Sequence, residues 1–379
     1  MALTQYYVDP SIAASSGTGT IGDPFGDLQY GLNTVTRDST NGDQFNIKAG
    51  TAEVLGAALT LATYGTPTYS APLVLRGYTS VAGDGGVGAI SGAGSYAILS
   101  ETGKDFIHLA DLRLYNTGSA TPVSLRDYCT IANCQVDTST ANQFLFLRRY
   151  CEVVGCYLTG AVVARAIYIG RGAVLNNKMH LTGCSCGIHF YEGDNKSVAI
   201  GNAIHVSGSV GSSGAIYSSA AGGLLVVGNS ILYTGSGTDR YGIYWSPTAA
   251  GRMFAAWNNI VAGYATTSSI GLYSTGEVVL LGSNAFYNNT TNESLASGPF
   301  FRVSSNVALG ALPWTDAANG DWSLTAAGIT ALAGLGYPVN LYPSGTATNL
   351  TIGAIQQAAG SGSGGGGPVR ILPLRGILG

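Results

Sequence analysis

The chain has 379 residues, 56 of them Gly, with 46% apolar and 10% charged side chains and a formal net charge of −3. So much apolar content at so low a charge excludes a disordered chain. A slightly negative balance gives no footing for a nucleic-acid partner, and no run of 18 apolar residues suits a spanning helix, so no membrane insertion is expected. The opening MALTQYYVDPS has neither a basic n-region nor an apolar h-region. We therefore expect no Sec leader, synthesis in a cytoplasm and reduced thiols at all six Cys.

In the opening segment, Leu28, Leu32 and Val35 share one face at helical spacing, followed by the strand-like GDQFNIKAGT. The body then repeats. LRDYCTIANCQV (125–136) aligns with LRRYCEVVGCYL (147–158) at a shift of 22. An apolar column continues through Leu112, Cys134, Cys156, Met179, Ile204, Ile231, Ile260 and Phe286, at steps of 22 to 29. A second column two residues on (Leu114, Val136, Leu158, Leu181, Val206, Tyr233) marks a strand with one apolar face. Just before the first column run Asn177, Asn202, Asn229, Asn258 and Asn284.

The period excludes propeller blades of about 40 residues, and a leucine-rich repeat would need a Leu consensus that is absent. A parallel β-helix remains, with coils about 4.8 Å apart and like residues stacked on like. Stacked Asn amides can then hydrogen-bond along the axis. Cys129, Cys134, Cys151 and Cys156 read as small buried side chains in such a stack. A disulfide or a metal remains open by geometry, although Cys184 and Cys186 lack zinc spacing.

Acidic residues are scattered along the body: Asp105, Asp111, Asp127, Asp137, Glu152, Glu192, Asp194, Asp239 and Glu277. They concentrate only in YEGDNKS, with Glu192, Asp194 and Lys196. Paired carboxylates for glycoside chemistry need a set separation, and no such column is seen. We therefore expect no catalytic residue, no metal and no cofactor. A basic column, Arg126, Arg148, Arg171 and Lys196, falls at steps of 22, 23 and 25. It reads either as charges compensated by Asp127 and Glu152 or as a strip that holds an acidic glycan or partner. Phe146, Tyr168, His189, Tyr217, Tyr244 and Tyr273 form an aromatic row. Most members follow an aliphatic residue, so one row faces in and the other out; an outward aromatic row is an interface or glycan face. After a Gly/Ser linker (358–367), the peptide PVRILPLRGILG (368–379) carries Ile371, Leu372, Leu374, Ile377 and Leu378, which suit docking on a neighbouring subunit.

The opening YYVDPSIAASSGTGTIGDPFGDLQYGLNTV resembles the first segment of right-handed β-helix proteins of the pectate-lyase-like superfamily, and NGDWSLTAAGITALAGLG with LTIGAIQ resembles their closing segment. The resemblance implies a single-stranded, right-handed parallel β-helix, all-β, with a short N-terminal capping helix and an extended C-terminal tail. Its parts are an opening and cap at 1–50, the helix at 51–357, the linker, and the docking peptide. This superfamily hosts lyases, hydrolases, phage tailspikes and virion projections, so fold alone does not choose among them. We expect a bacteriophage virion structural protein, a capsid decoration or tailspike-like appendage. It would be a homotrimer anchored to other virion proteins by its tail, and could contact host surface polysaccharide. The alternatives are a polysaccharide lyase, a glycosidase, or a non-catalytic glycan-binding module.

Overall fold

The computed structural model describes residues 2–333, apart from 93, 95, 102, 193–196, 209–213, 220–221, 248–252, 277, 297–299 and 303. The linker and the docking residues Ile371, Leu372, Leu374, Ile377 and Leu378 therefore lie outside the described residues, as do Asp194 and Lys196.

The chain winds as an all-β solenoid in which each full coil contributes one strand to each of three parallel sheets. One coil shows the plan: Ser197–Ile200 in the first sheet, Ala203–Ser207 in the second, Gly214–Ser218 in the third. The first sheet runs from Thr4–Val8 to Phe300–Arg302, the second from Ala52–Leu55 to Val307–Ala308, and the third from Leu99–Glu101 to Thr291–Leu295. Where coils are shortest, Gln135–Val154 and Tyr157–Leu175 pass through all three sheets as continuous strands. Inward side chains fill the bore. Ile131, Val153, Val174, Ala199, Val226, Ala256 and Leu281 form one fully buried column. No helix among the described residues is long and apolar enough to cross a membrane.

Helix α1 (Leu28–Thr34) covers the first coil. Asp27 caps it by accepting from Tyr30 N at 2.5 Å, and Leu28 and Leu32 are fully buried. Val35 is the C-cap and packs against the same core.

The corner between the first and second sheets sets the register. It places one residue in the left-handed region, at Asp111, Asn133, Gly155, Asn176, Gly201, Gly228, Asn258 and Ser283, with φ from 48° to 67°. The next residue points inward: Leu112, Cys134, Cys156, then Asn177, Asn202, Asn229, Asn259 and Asn284. The amide ladder thus uses Asn259, and Asn258 is the left-handed residue before it, where a short polar side chain is tolerated. From Asn177 to Asn284, each Nδ2 donates to the next Oδ1 at 2.9 Å, and Asn284 reaches Asn306 at 3.3 Å.

Two steps of the apolar columns also change with this register. Cys156 stacks on Asn177, while Met179 stacks on Leu158, two residues further on. Val261 rather than Ile260 follows Ile231. Ile260 points outward and is buried there, because the chain folds back over the second sheet. Trp314–Asp316 and Asp321–Leu324 pair as an antiparallel hairpin, followed by α2 (Ala326–Leu332). Trp314, Trp322 and Leu332 pack with Ala203, Leu232, Ile260, Ala262 and Ala285.

On the outside of the first sheet, two columns become apolar toward the C-terminal end. One is Ala173, Val198, Leu225, Ala255, Leu280 and Phe301; the other is Leu175, Ile200, Val227 and Trp257. None of these belongs to the packed bore.

Candidate functional site

The outer face of the third sheet carries the aromatic row. Ile167, Ile188, Ile216, Ile243 and Leu272 are fully buried in the bore. Alternation therefore turns Tyr168, His189, Tyr217, Tyr244 and Tyr273 outward, and the four tyrosines are half-buried. The row is in exact register from Phe146 to Tyr273 through successive pairings. Ring centroids follow at 5.6, 5.0, 4.5, 4.9 and 5.1 Å. Neighbouring rings lean at 27° to 52°. A flat stack would spend both faces of each ring on its neighbours; this tilt leaves part of each face free to meet a partner.

Two further rings widen the row. Tyr241 lies 4.7 Å from Tyr244 and 4.9 Å from Tyr273. Tyr191 lies 4.1 Å from Tyr168 and 6.0 Å from Phe146. Gly170 stands beneath Tyr191 on the coil below. A Cβ at Gly170 would sit 3.0 Å from Arg148 O and 3.1 Å from Glu192 Cδ. Neither Tyr191 nor Tyr241 belongs to the single-column spacing, so sequence reasoning missed both; their signal is an outward position two or three residues from a row member.

Arg165 crosses the middle of the row, 4.4 Å above the Tyr168 ring. Its Nε–H donates to His189 Nδ1 at 2.7 Å. Arginine always keeps its protons, so His189 holds its proton on Nε2 and donates to Ser219 Oγ at 3.0 Å. Burial, reinforced by the Arg165 charge, pushes His189 down to about 3, so the ring is neutral at physiological pH. This resembles a Ser–His pair in outline only. With the proton already facing Ser219, His189 cannot take one from it, whereas a hydrolytic base needs a carboxylate in the place of Arg165.

The basic column divides. Leu125 and Leu147 are register partners, which sets Arg148 beside Arg126, and Arg148 N donates to Arg126 O. Arg171 pairs instead with Arg149, one residue on, and lies 3.6 Å over the Tyr150 ring. The step across this corner is 22 rather than 23, and a one-residue shift moves a side chain to the other face. Arg126 faces Asp105 at 3.5 Å and Arg149 meets Glu192 at 2.5 Å, while Asp127 accepts from the Arg149 backbone N–H. Lys196 lies outside the described residues. Glu192, the described carboxylate of YEGDNKS, is therefore engaged in an ion pair.

All six Cys are free and buried, and burial pushes the Cys134, Cys151, Cys184 and Cys186 thiols up. They are packing residues, not nucleophiles. Among the described residues, no group of three His, Cys, Asp or Glu is placed to hold a metal ion. A cavity of about 460 Å³ opens at the last coil between Phe286, Glu293, Arg302 and Asn306, but Glu293 and Arg302 there pair with each other at 2.8 Å.

No known sequence-family profile and no curated protein sequence matches the chain. Among solved structures it is similar to pectate lyase Pel9A, at 12% identity over 94% of this chain and 98% of that one, with a TM-score of 0.50. It also aligns with a GH136 lacto-N-biosidase from Eubacterium ramulus, at 11% identity over 81% of this chain and 68% of that one, with a TM-score of 0.42. The first likeness covers nearly the whole length of both chains and concerns the path of the backbone. The three-sheet coils, the stacked columns and this likeness together make the chain a right-handed parallel β-helix of the pectate-lyase type.

Proposed function

We propose that the chain is a non-catalytic structural β-helix of the virion-projection kind, whose third-sheet aromatic ladder is a glycan-contact face. The observation that supports it is the unbroken outward run of rings from Phe146 to Tyr273, broadened by Tyr191 and Tyr241. Ring edges and phenols at coil spacing offer apolar contact and hydrogen bonds along an extended ligand. Arg165, seated on Tyr168, adds a fixed cation beside them. The state of the polar groups on this face favours binding over cleavage: Glu192 is ion-paired and His189 carries the wrong tautomer for a base. The virion setting rests on the low charge of the chain, 10% of residues, and on the Gly/Ser linker with its apolar tail, which suits attachment to a larger particle.

The test is binding of purified chain to a panel of bacterial surface polysaccharide fragments, with Tyr217→Ser and Tyr244→Ser as variants. We expect each variant to weaken binding about tenfold, the equivalent of ~1.4 kcal/mol, without loss of fold. Absence of glycan binding by the wild type, or binding untouched by both variants, overturns the glycan face. Release of reducing or unsaturated ends overturns the non-catalytic reading. A stable oligomer in which the tyrosines are shielded from solvent would make the ladder a subunit interface instead.

A further inference from the structure

The outer face of the first sheet is unlike that of an ordinary solvated sheet. Over the six rungs from 173–175 to Phe300–Arg302, its described outward positions carry apolar side chains or glycine and no charge. Lower on the same face the columns carry Thr130, His108 and Arg76. Ala173, Leu175, Val227 and Ala255 are buried, Val198, Leu225 and Leu280 are half-buried, and exposure reaches 48% at Met253 and 67% at Phe301, so the accessible part of the face is its middle column and its C-terminal end. Antiparallel sheets commonly leave a polar face to water, whereas parallel sheets are ordinarily covered on both faces. On the second sheet the cover is the hairpin and α2; among the described residues, no element plays that part on the first.

We infer that this apolar face is where a second copy of the chain packs. Six rungs at strand spacing make a patch about 24 Å tall and about 16 Å wide, close to 400 Å². That lies within the range of the largest patch on a typical monomer, which is often functional. It is about half of the ~800 Å² per partner in a stable interface, so it supplies an apolar core that flanking polar residues complete as a rim. The repeat selects the occupant. Side chains stand at one coil spacing along the whole face, and another rod of the same coils presents the same spacing, so the two can interdigitate from end to end. The inference is independent of the glycan reading, because it uses a different sheet.

Sedimentation velocity of the full chain, from micromolar to about a hundred micromolar, tests it. We expect a species of at least twice the chain mass. Leu225→Asp and Leu280→Asp should each return it to monomer, while Tyr217→Ser on the third sheet leaves it assembled. Should the Asp variants fail to fold, Val198→Cys supplies the second route: a disulfide between two copies, formed under mild oxidation, is expected. A wild type that is monomeric throughout, or Asp variants that fold and assemble normally, overturns the proposal. So does a chain ending at Ala333 that assembles when the full chain does not, since the occupant is then the chain's own C-terminal segment.

Discussion

Cys156 Sγ donates to Ile131 O at 3.4 Å, and Asn177 Nδ2 donates to Val153 O at 3.0 Å, one coil later and in register. Thiol and amide therefore do the same work at the same corner, each satisfying a carbonyl of the coil beneath. The amide adds a link upward, since Cys156 N donates to Asn177 Oδ1 at 2.9 Å and each later Asn repeats that bond. The cysteine stack is the lower end of the asparagine ladder.

From this, Cys156→Asn should be tolerated and extend the ladder by one amide, with a melting temperature at or above that of the wild type. Asn229→Leu should be costly. Asn229 bonds Ala199 O, Val227 O and Asn259 Oδ1 and accepts from Asn202. Its loss strands buried groups at about 1–3 kcal/mol each. Urea denaturation of the two variants checks both; an unchanged Asn229→Leu midpoint contradicts the ladder's role.

Glu53 is 5% exposed beneath α1 and accepts from Leu28 N at 3.3 Å. Burial, with the nearby Asp27 charge, pushes its carboxyl up to about 7 from 4.5. Between those values the folded chain binds the extra proton, so this group's contribution to stability falls as pH rises from 4.5 through 7 and then levels off. Glu53→Gln should flatten that part of the pH–stability curve and help most above pH 7. Denaturant melts of both proteins at pH 5 and pH 8 give the comparison.

His189 shifts the other way, down to about 3 from 6.5, through burial and Arg165. Below 6.5 the unfolded chain binds the proton that the folded one refuses. Stability present above pH 6.5 is thus lost progressively as pH falls toward 3. Nitrogen NMR should find a neutral ring protonated at Nε2 at pH 6, and His189→Gln should reduce the acid sensitivity. A charged ring at pH 6 would contradict the Arg165 contact.

Trp314 and Trp322 meet edge to face at 4.9 Å over the second sheet. Trp322→Ala should cost about 3–5 kcal/mol, as for a buried Trp truncation. Amide exchange should rise most in the hairpin and in the strands under it, Ile260–Ala262 and Ala285–Tyr287. Uniform acceleration through the whole rod would mean that the fold-back is not a separate unit.

Parts of the candidate site were legible at different depths. Tyr168, Tyr217, Tyr244 and Tyr273 could be placed in one row because each follows a buried aliphatic residue in a short strand of clear alternation. The Arg165–His189–Ser219 chain could not, because its members lie on three successive coils and no period links them. Nor could the apolar outer face of the first sheet. LLVV (Leu224–Val227) is apolar on both sides, so it does not say which side meets water.

By itself, the sequence determined that coils of a few tens of residues stack in parallel, and it placed most side chains on the correct face. Alternation with a period of 2 carries that information locally. Register was decided only by the tertiary structure, because corners and loops between strands differ in length from coil to coil. Between Cys156 and Met179 the slip is two residues, which keeps the face and alters only the neighbour. At Asn258, Ile260 and Arg171 the slip is one residue, and one residue exchanges inside for outside. Which Arg meets which carboxylate, and which apolar face is covered by the returning chain, depend on that register and on contacts far apart in sequence. Local pattern does not reach them.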